Sequence, residues 1–228
     1  MTKPVNIREI CLEILQEITE EEAYSHIVLR EVLEKYQYLE KRDRAFISRV
    51  VEGTLEHMIQ LDYIIEQFSN VPVYNMKPLI RNLLRMSVYQ LKYMDSVPVH
   101  AVCNEAVKLA VKKGFSGLKG FVNGVLRNVA RSLDQVKYPG KEEPLRYLSV
   151  QYSMPEWIVK LWLDAYSFEV VERILQGLQE KRPLTVRCNP MQGTPEELKV
   201  RLEKEGVTVK NHPYLKEALI LADLDHLS

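Results

Sequence analysis

Two helix-patterned segments most constrain what this chain can fold into. They are Asn104-Glu105-Ala106-Val107-Lys108-Leu109-Ala110 and Phe121-Val122-Asn123-Gly124-Val125-Leu126-Arg127, joined by a short Lys/Gly loop. An Asn-Gly pair inside an apolar helix is costly, because Gly lowers helix propensity by ~1 kcal/mol relative to Ala. The expected compensation is a close helix–helix approach at Gly124, with the Asn123 amide satisfying a nearby helix end. A chain organised around such a pair is a helical bundle.

Periodicity extends the bundle in both directions. Ile7, Ile10, Cys11, Ile14, Leu15 and Ile18 form one apolar stripe at helical spacing. A second helix is expected from Ser25 as N-cap, carrying Ile27, Leu29, Val32 and Leu33. A third spans about Lys41 to Met58 with Asp43 in its first turn, and a fourth runs from Leu61 to Phe68. Pro78 opens a fifth, Lys112-Lys113-Gly114 closes the Asn104 helix, and the last runs from about Leu118 to Leu133. His100 and Asn104, one turn apart, are expected to form a polar helix-end network. No strand signal precedes residue 140.

The pattern then changes. Tyr138–Pro144 is turn-rich, and three short helical patterns come next over Leu145–Tyr152, Glu156–Tyr166 and Glu169–Glu180. Residues 183–189 alternate like a strand, Thr194-Pro195-Glu196-Glu197 reads as a capping box, and residues 207–209 and 218–222 read as two more strands. The expected fold class is mainly α: an all-helical bundle at 1–137, linker helices at 138–182, and a partial β-α-β-β unit at 183–228.

At 228 residues the chain can bury a real core, and no apolar run reaches the ~18 residues that span a membrane. Met1-Thr2-Lys3-Pro4 leads straight into a charged helix, so no secretory signal is expected, and the cytoplasm is the default. Three scattered cysteines (Cys11, Cys103, Cys188) argue against a disulfide framework or a zinc site and read as core fillers. The five histidines show no metal-ligand spacing. Gly114–Gly120 lies between helices and is preceded by no strand, so it is not a nucleotide loop.

Net charge is zero, but its distribution is not even. Residues 1–76 carry a balance of −6, residues 77–137 of +8 and residues 138–228 of −2. Such asymmetry points to a nucleic-acid or acidic partner. Arg81, Arg85, Lys112, Lys113, Lys119, Arg127 and Arg131 are the candidate RNA-binding residues. Arg81/Arg85 and Arg127/Arg131 are like-charge pairs at i,i+4, each costing a few tenths of a kcal/mol unless an anion offsets it. The alternative is that acids of residues 1–76 neutralise these cations within the fold.

Leu83–Leu91, Asn104–Val107 and Phe121–Arg127 together resemble the NusB family of all-helical RNA-binding domains. Tyr147–Trp157 and Pro183–Asn189 resemble the segments C-terminal to that domain in the RsmB family of bacterial 16S rRNA (cytosine-C5) methyltransferases, although that family often has an apolar residue where Cys188 stands. A free-standing NusB would end near residue 137. The resemblance implies an rRNA-targeting region that presents a cytosine, extruded from its stack, to a methyltransferase domain absent from this chain. The catalytic nucleophile and the S-adenosylmethionine site of that family lie in the absent domain. The chain alone is therefore expected to carry no catalytic, cofactor or metal residue and to be inactive, and its end at Asp225-His226-Leu227-Ser228 is expected to be a truncation. The implied partners are 16S rRNA, the family's own catalytic domain, and a ribosomal or transcription-factor protein; no membrane is implied. A second reading is a NusB-type antitermination module acting through protein and RNA partners. A third has the bundle serve only as a scaffold for the catalytic domain.

Overall fold

A computed structural model describes residues 5–180 and 183–222. Met1–Pro4, the expected boundary at residue 182 and the Asp225–Ser228 end lie outside the described residues. The chain divides into two compact units, Met1–Gly177 and Leu178–Ser228.

The first unit begins with α1 (Ile7–Glu20), α2 (Ser25–Lys35), α3 (Lys41–Glu56), α4 (Met58–Phe68), α5 (Pro78–Tyr93), α6 (Val99–Lys112) and α7 (Lys119–Ser132). α5 is the axis: it packs against α1, α3, α4, α6 and α7. Accordingly, eleven of its residues, from Leu79 to Gln90, are buried, including Asn82, Arg85, Ser87 and Gln90. Ser87 Oγ and Gln90 Nε2 donate to the carbonyls one turn back, Leu83 at 2.7 Å and Met86 at 2.8 Å, which makes burying them tolerable. Pro78 stands in the first turn, as expected.

Cys11 and Cys103 are buried in this core, and burial pushes the Cys11 thiol up to about 12, so it is inert. α6 closes on Gly114 at φ +88°, with Phe115 N donating to Ala110 O at 2.8 Å; the left-handed residue is where glycine is needed.

The Asn-Gly pair of α7 behaves differently from the expectation. Val122, Val125, Leu126 and Val129 make the buried stripe, which turns Gly124 outward. A Cβ there would meet nothing within 4 Å, so no close helix approach requires this glycine. The Asn123 amide does not satisfy a helix end either: its Oδ1 accepts from Arg127 Nε at 3.0 Å. Nor do His100 and Asn104 form a network, since both are exposed and share no hydrogen bond.

α8 (Pro144–Tyr152), α9 (Glu156–Ala165) and α10 (Phe168–Gln179) come next, with Leu148, Val159, Val171 and Leu175 as a small core of their own. They are not a free linker, because α8 packs on α4 within the first unit. Ser153 Oγ accepts from the Ile59 amide at 3.0 Å, and Gln60 Nε2 donates to the carbonyls of Val150 at 3.3 Å and Gln151 at 3.2 Å. The amino end of α4 is thus capped from 94 positions further along the chain.

The second unit contains β1 (Leu184–Arg187), α11 (Pro195–Lys204), β2 (Thr208–Asn211) and β3 (Ala218–Ala222), as the sequence pattern anticipates. The sheet order is β1-β3-β2 with both pairings antiparallel, and Thr185, Ile220 and Lys210 share one cross-strand row. Thr194 and Glu197 form a complete capping box, Gly206 ends α11 at φ +85°, and Cys188 is buried. Val209, Leu219 and Leu221 form the core, with Leu198 and Leu202 of α11 packed against it.

Candidate nucleic-acid interface

The seven basic residues singled out by charge and spacing fall into two groups. Arg81, Arg85, Lys112 and Lys113 are already ion-paired. Arg81 Nη2 lies 2.7 Å from Glu20 Oε1. Arg85 is 9% exposed, and its Nε and Nη2 donate to the two Asp62 oxygens at 2.7 and 2.6 Å. It is a core residue, so its assignment as an RNA contact is corrected. Lys112 pairs with Glu9, while Lys113 reaches Glu9 at 3.1 Å and Glu13 at 2.6 Å. For these four, neutralisation by the acidic first segment is what the fold does, through α1 and α4.

These pairs leave an electrostatic signature. Burial pushes the Glu9 carboxyl up, and the ammonium groups of Lys112 and Lys113 more than offset it, so its pKa falls below the ordinary 4.5. The Lys113 ammonium is raised above its usual value, chiefly by Glu13 and despite burial. A carboxyl whose pKa is depressed on folding adds stability above its unfolded pKa and loses it as pH falls through the folded one. Glu9→Gln is therefore expected to flatten the fall of stability between about pH 5 and pH 3 while costing little in high salt, because partly exposed pairs are screened. Urea midpoints measured across that range check it; an unchanged pH profile contradicts it.

Lys119, Arg127 and Arg131 form the second group. All three are exposed on α7, whose sequence KGFVNGVLRNVARS contains no Asp or Glu. Arg127 and Arg131 form no ion pair among the described residues. Each is instead steadied by a neutral amide: Asn123 Oδ1 accepts from Arg127 Nε at 3.0 Å, and Asn128 Oδ1 accepts from Arg131 Nη2 at 2.6 Å. An amide orients a guanidinium without cancelling its charge, leaving donors free for a phosphate. Gly120 and Gly124 lie on the same solvent side, so no bulky side chain screens the helix there. Sequence reasoning found the two arginines but assigned Asn123 elsewhere and passed over Asn128. The available signal was an amide one turn before each arginine on an acid-free helix.

Among the described residues no His/Cys/Asp/Glu group could hold a metal, and no helix is long and apolar enough to cross a membrane.

Comparison with known proteins finds two family matches, the second of which begins ahead of the division between Gly177 and Leu178. Residues 5–131 match the NusB family. Residues 154–224 match the ferredoxin-like domain of RsmF/B-like methyltransferases. The chain is 36% identical over 96% of its length to the probable ribosomal RNA small subunit methyltransferase B of Bacillus subtilis (strain 168), covering 48% of that protein. It is 29% identical over 93% of its length to ribosomal RNA small subunit methyltransferase B of Proteus mirabilis (strain HI4320), covering 49% of it. The chain thus spans about half the length of the curated relatives it matches. Among solved structures, PH0851 aligns over 98% of this chain and 50% of its own at a TM-score of 0.65 and 16% identity. A structure of the antitermination factors NusB and NusE in complex with dsRNA aligns over 55% of this chain and 94% of its own at a TM-score of 0.51 and 23% identity. These structural matches establish the fold of the helical unit, and the match over residues 5–131 shows that the chain belongs to the NusB family.

Proposed function

We propose that this chain is the rRNA-binding region of an S-adenosylmethionine-dependent 16S rRNA (cytosine-C5) methyltransferase, with Lys119, Arg127 and Arg131 of α7 touching the RNA backbone. One observation carries the reading. Relatives called ribosomal RNA small subunit methyltransferase B align with nearly the whole chain, across both the NusB-type and the ferredoxin-like modules. An antitermination module of NusB type accounts for residues 5–131 and leaves 154–224 without a role, so it is the weaker reading. On the favoured reading the protein works in the cytoplasm, with 16S rRNA and a methyltransferase domain as partners.

The described residues do not fit S-adenosylmethionine. Among them, the one strand-to-helix connection runs from β1 to α11 and holds a single glycine, Gly193. The helix end it leads to is closed by Thr194 and Glu197, which cap each other at 3.2 and 3.0 Å. Methyl transfer would therefore fall to the portion of the relatives that lies outside the matched span.

Filter binding of a small-subunit rRNA hairpin and an unrelated hairpin, across a salt series, tests the proposal. Three phosphate contacts predict a slope of log K against log salt of about −2 to −3, with tighter binding of the rRNA hairpin. Absence of binding at low salt would overturn it in favour of the scaffold reading.

A further inference from the structure

A lysine of the chain itself sits in a box of aromatic rings with a carboxylate at its floor. Tyr147 of α8 and Phe168 and Glu172 of α10 form the box, and its occupant is Lys141, in the turn just before α8. The Lys141 ammonium lies 5.4 Å from the centre of the Tyr147 ring, 5.2 Å from that of the Phe168 ring and 3.0 Å from Glu172 Oε2. Ring faces and a carboxylate converging on one point are the arrangement that recognises an alkylammonium group.

The walls are fixed independently of Lys141. Glu172 Oε1 accepts from the Tyr147 hydroxyl at 3.0 Å and from the Tyr152 hydroxyl at 3.5 Å, and Gln176 Nε2 donates to the Tyr152 oxygen at 3.1 Å. The Tyr147 and Phe168 rings also meet each other, 6.1 Å between centres. Leu148 of α8 and Val171 and Leu175 of α10 share one small core beneath them. Burial and the adjacent carboxylate push the Tyr147 phenol up to about 12, so it stays protonated and keeps donating.

The occupant is held less firmly. The Lys141 side chain is 60% exposed, against 15% for Glu172. Its backbone belongs to a turn closed by Glu143 N donating to Gly140 O at 3.1 Å, not to a helix. An ion pair to so exposed a lysine is easily exchanged. The carboxylate, by contrast, needs a cation: its pKa lies below the ordinary value, chiefly through the Lys141 ammonium and against burial. Walls already in place lower the cost of taking a second ammonium once Lys141 has left.

We propose that the Tyr147/Phe168/Glu172 box is a binding site for an alkylammonium group, filled in cis by Lys141 until an outside amine displaces it. Displacement frees the turn that leads into α8. A lysine side chain of a partner polypeptide and a free polyamine share this chemistry, and the two sources separate experimentally. The probes are an acetyl-Gly-Lys-Gly-amide peptide and spermidine, with acetyl-Gly-norleucine-Gly-amide as the uncharged control. NMR follows the Tyr147 and Phe168 ring resonances in the 228-residue chain, in Lys141→Ala and in Lys141→Ala/Glu172→Gln. Lys141→Ala/Phe168→Leu, read through Tyr147, is carried alongside in case loss of the carboxylate loosens α10.

Lys141→Ala should bind an amine probe saturably, with a Kd of about millimolar. The parent should bind about fivefold or more weakly, because Lys141 competes at high effective concentration. Both double variants should lose about tenfold or more relative to Lys141→Ala. Saturation by the peptide supports a polypeptide lysine, and saturation by spermidine alone supports a free polyamine. Ring resonances of Lys141→Ala that neither amine moves, or that the norleucine control moves equally, would overturn the proposal, as would equal binding by the parent. None of these probes involves RNA, so this site and the α7 reading can fail separately.

Discussion

Asp62→Ala is expected to destabilise the protein by about 2–4 kcal/mol, seen as a lower urea midpoint at unchanged m. The Arg85 guanidinium lies at the junction of α1, α4 and α5, with only 11% of its side chain exposed. Both Asp62 oxygens accept from it, and Arg85 Nη1 also donates to Asn82 Oδ1 at 3.2 Å. Asn82 Nδ2 donates in turn to Thr19 Oγ1 at 2.7 Å, and Thr19 Oγ1 to the Leu15 carbonyl at 2.8 Å. Removing Asp62 leaves a largely buried cation without its counterion, a greater loss than the net worth of the pair. The lower end of the range reflects the 27% exposure of the Asp62 side chain, through which water can partly compensate. By the same reasoning an Asp62→Leu/Arg85→Met double variant should recover most of the loss. A shift below about 0.5 kcal/mol for Asp62→Ala would show that the network contributes little.

Gly53→Ala should also be damaging, by about 2 kcal/mol or more, although alanine is the better helix former by ~1 kcal/mol. Gly53 is buried near the end of α3, and a Cβ built there would overlap the ring of Tyr89. That ring has little room to yield. Tyr89 is 7% exposed, and its ring centre lies 5.3 Å from that of Tyr93 and 6.2 Å from that of His57. Tyr93 is itself held, stacked on His57 at 4.3 Å and donating its hydroxyl to Gln60. Burial pushes both phenols up, as expected for rings taken out of water. Truncating the ring in Gly53→Ala/Tyr89→Leu should return part of the stability. Thermal melts of the single and double variants decide it; a stabilised Gly53→Ala would show that the ring moves aside freely.

Local patterning carried far along this chain and failed where partners were distant. The stripe from Ile7 to Ile18, the glycine at the end of α6 and the Thr194–Glu197 capping box are all written within one or two turns, and each is found. The fourth helix is the instructive miss. Pattern begins it at Leu61, yet it starts at Met58, directly after the bend at His57. No cap residue precedes it, because its cap is Ser153, held in left-handed geometry at φ 52°. The same long-range bonding draws Gln60 into the interior and ties α8 to the bundle, where turn-rich sequence suggests a linker. Charge was legible only in part for the same reason. A count by segment finds the basic region, but Glu9, Glu13, Glu20 and Asp62 each meet their cation only after folding. Arg127 and Arg131 escape because their one-turn neighbours are amides and α7 holds no acid.

The most direct test compares rRNA-hairpin affinity at low salt for the parent chain, for Lys119→Gln/Arg127→Gln/Arg131→Gln, and for Lys112→Gln/Lys113→Gln. The first variant should lose about tenfold or more in affinity and flatten the salt slope by about 2 to 3. The second should bind nearly as the parent does, because Glu9 and Glu13 already pair with its lysines. Equal affinity and equal slope in the parent and the α7 variant would contradict the assignment of α7 as the RNA-contacting face.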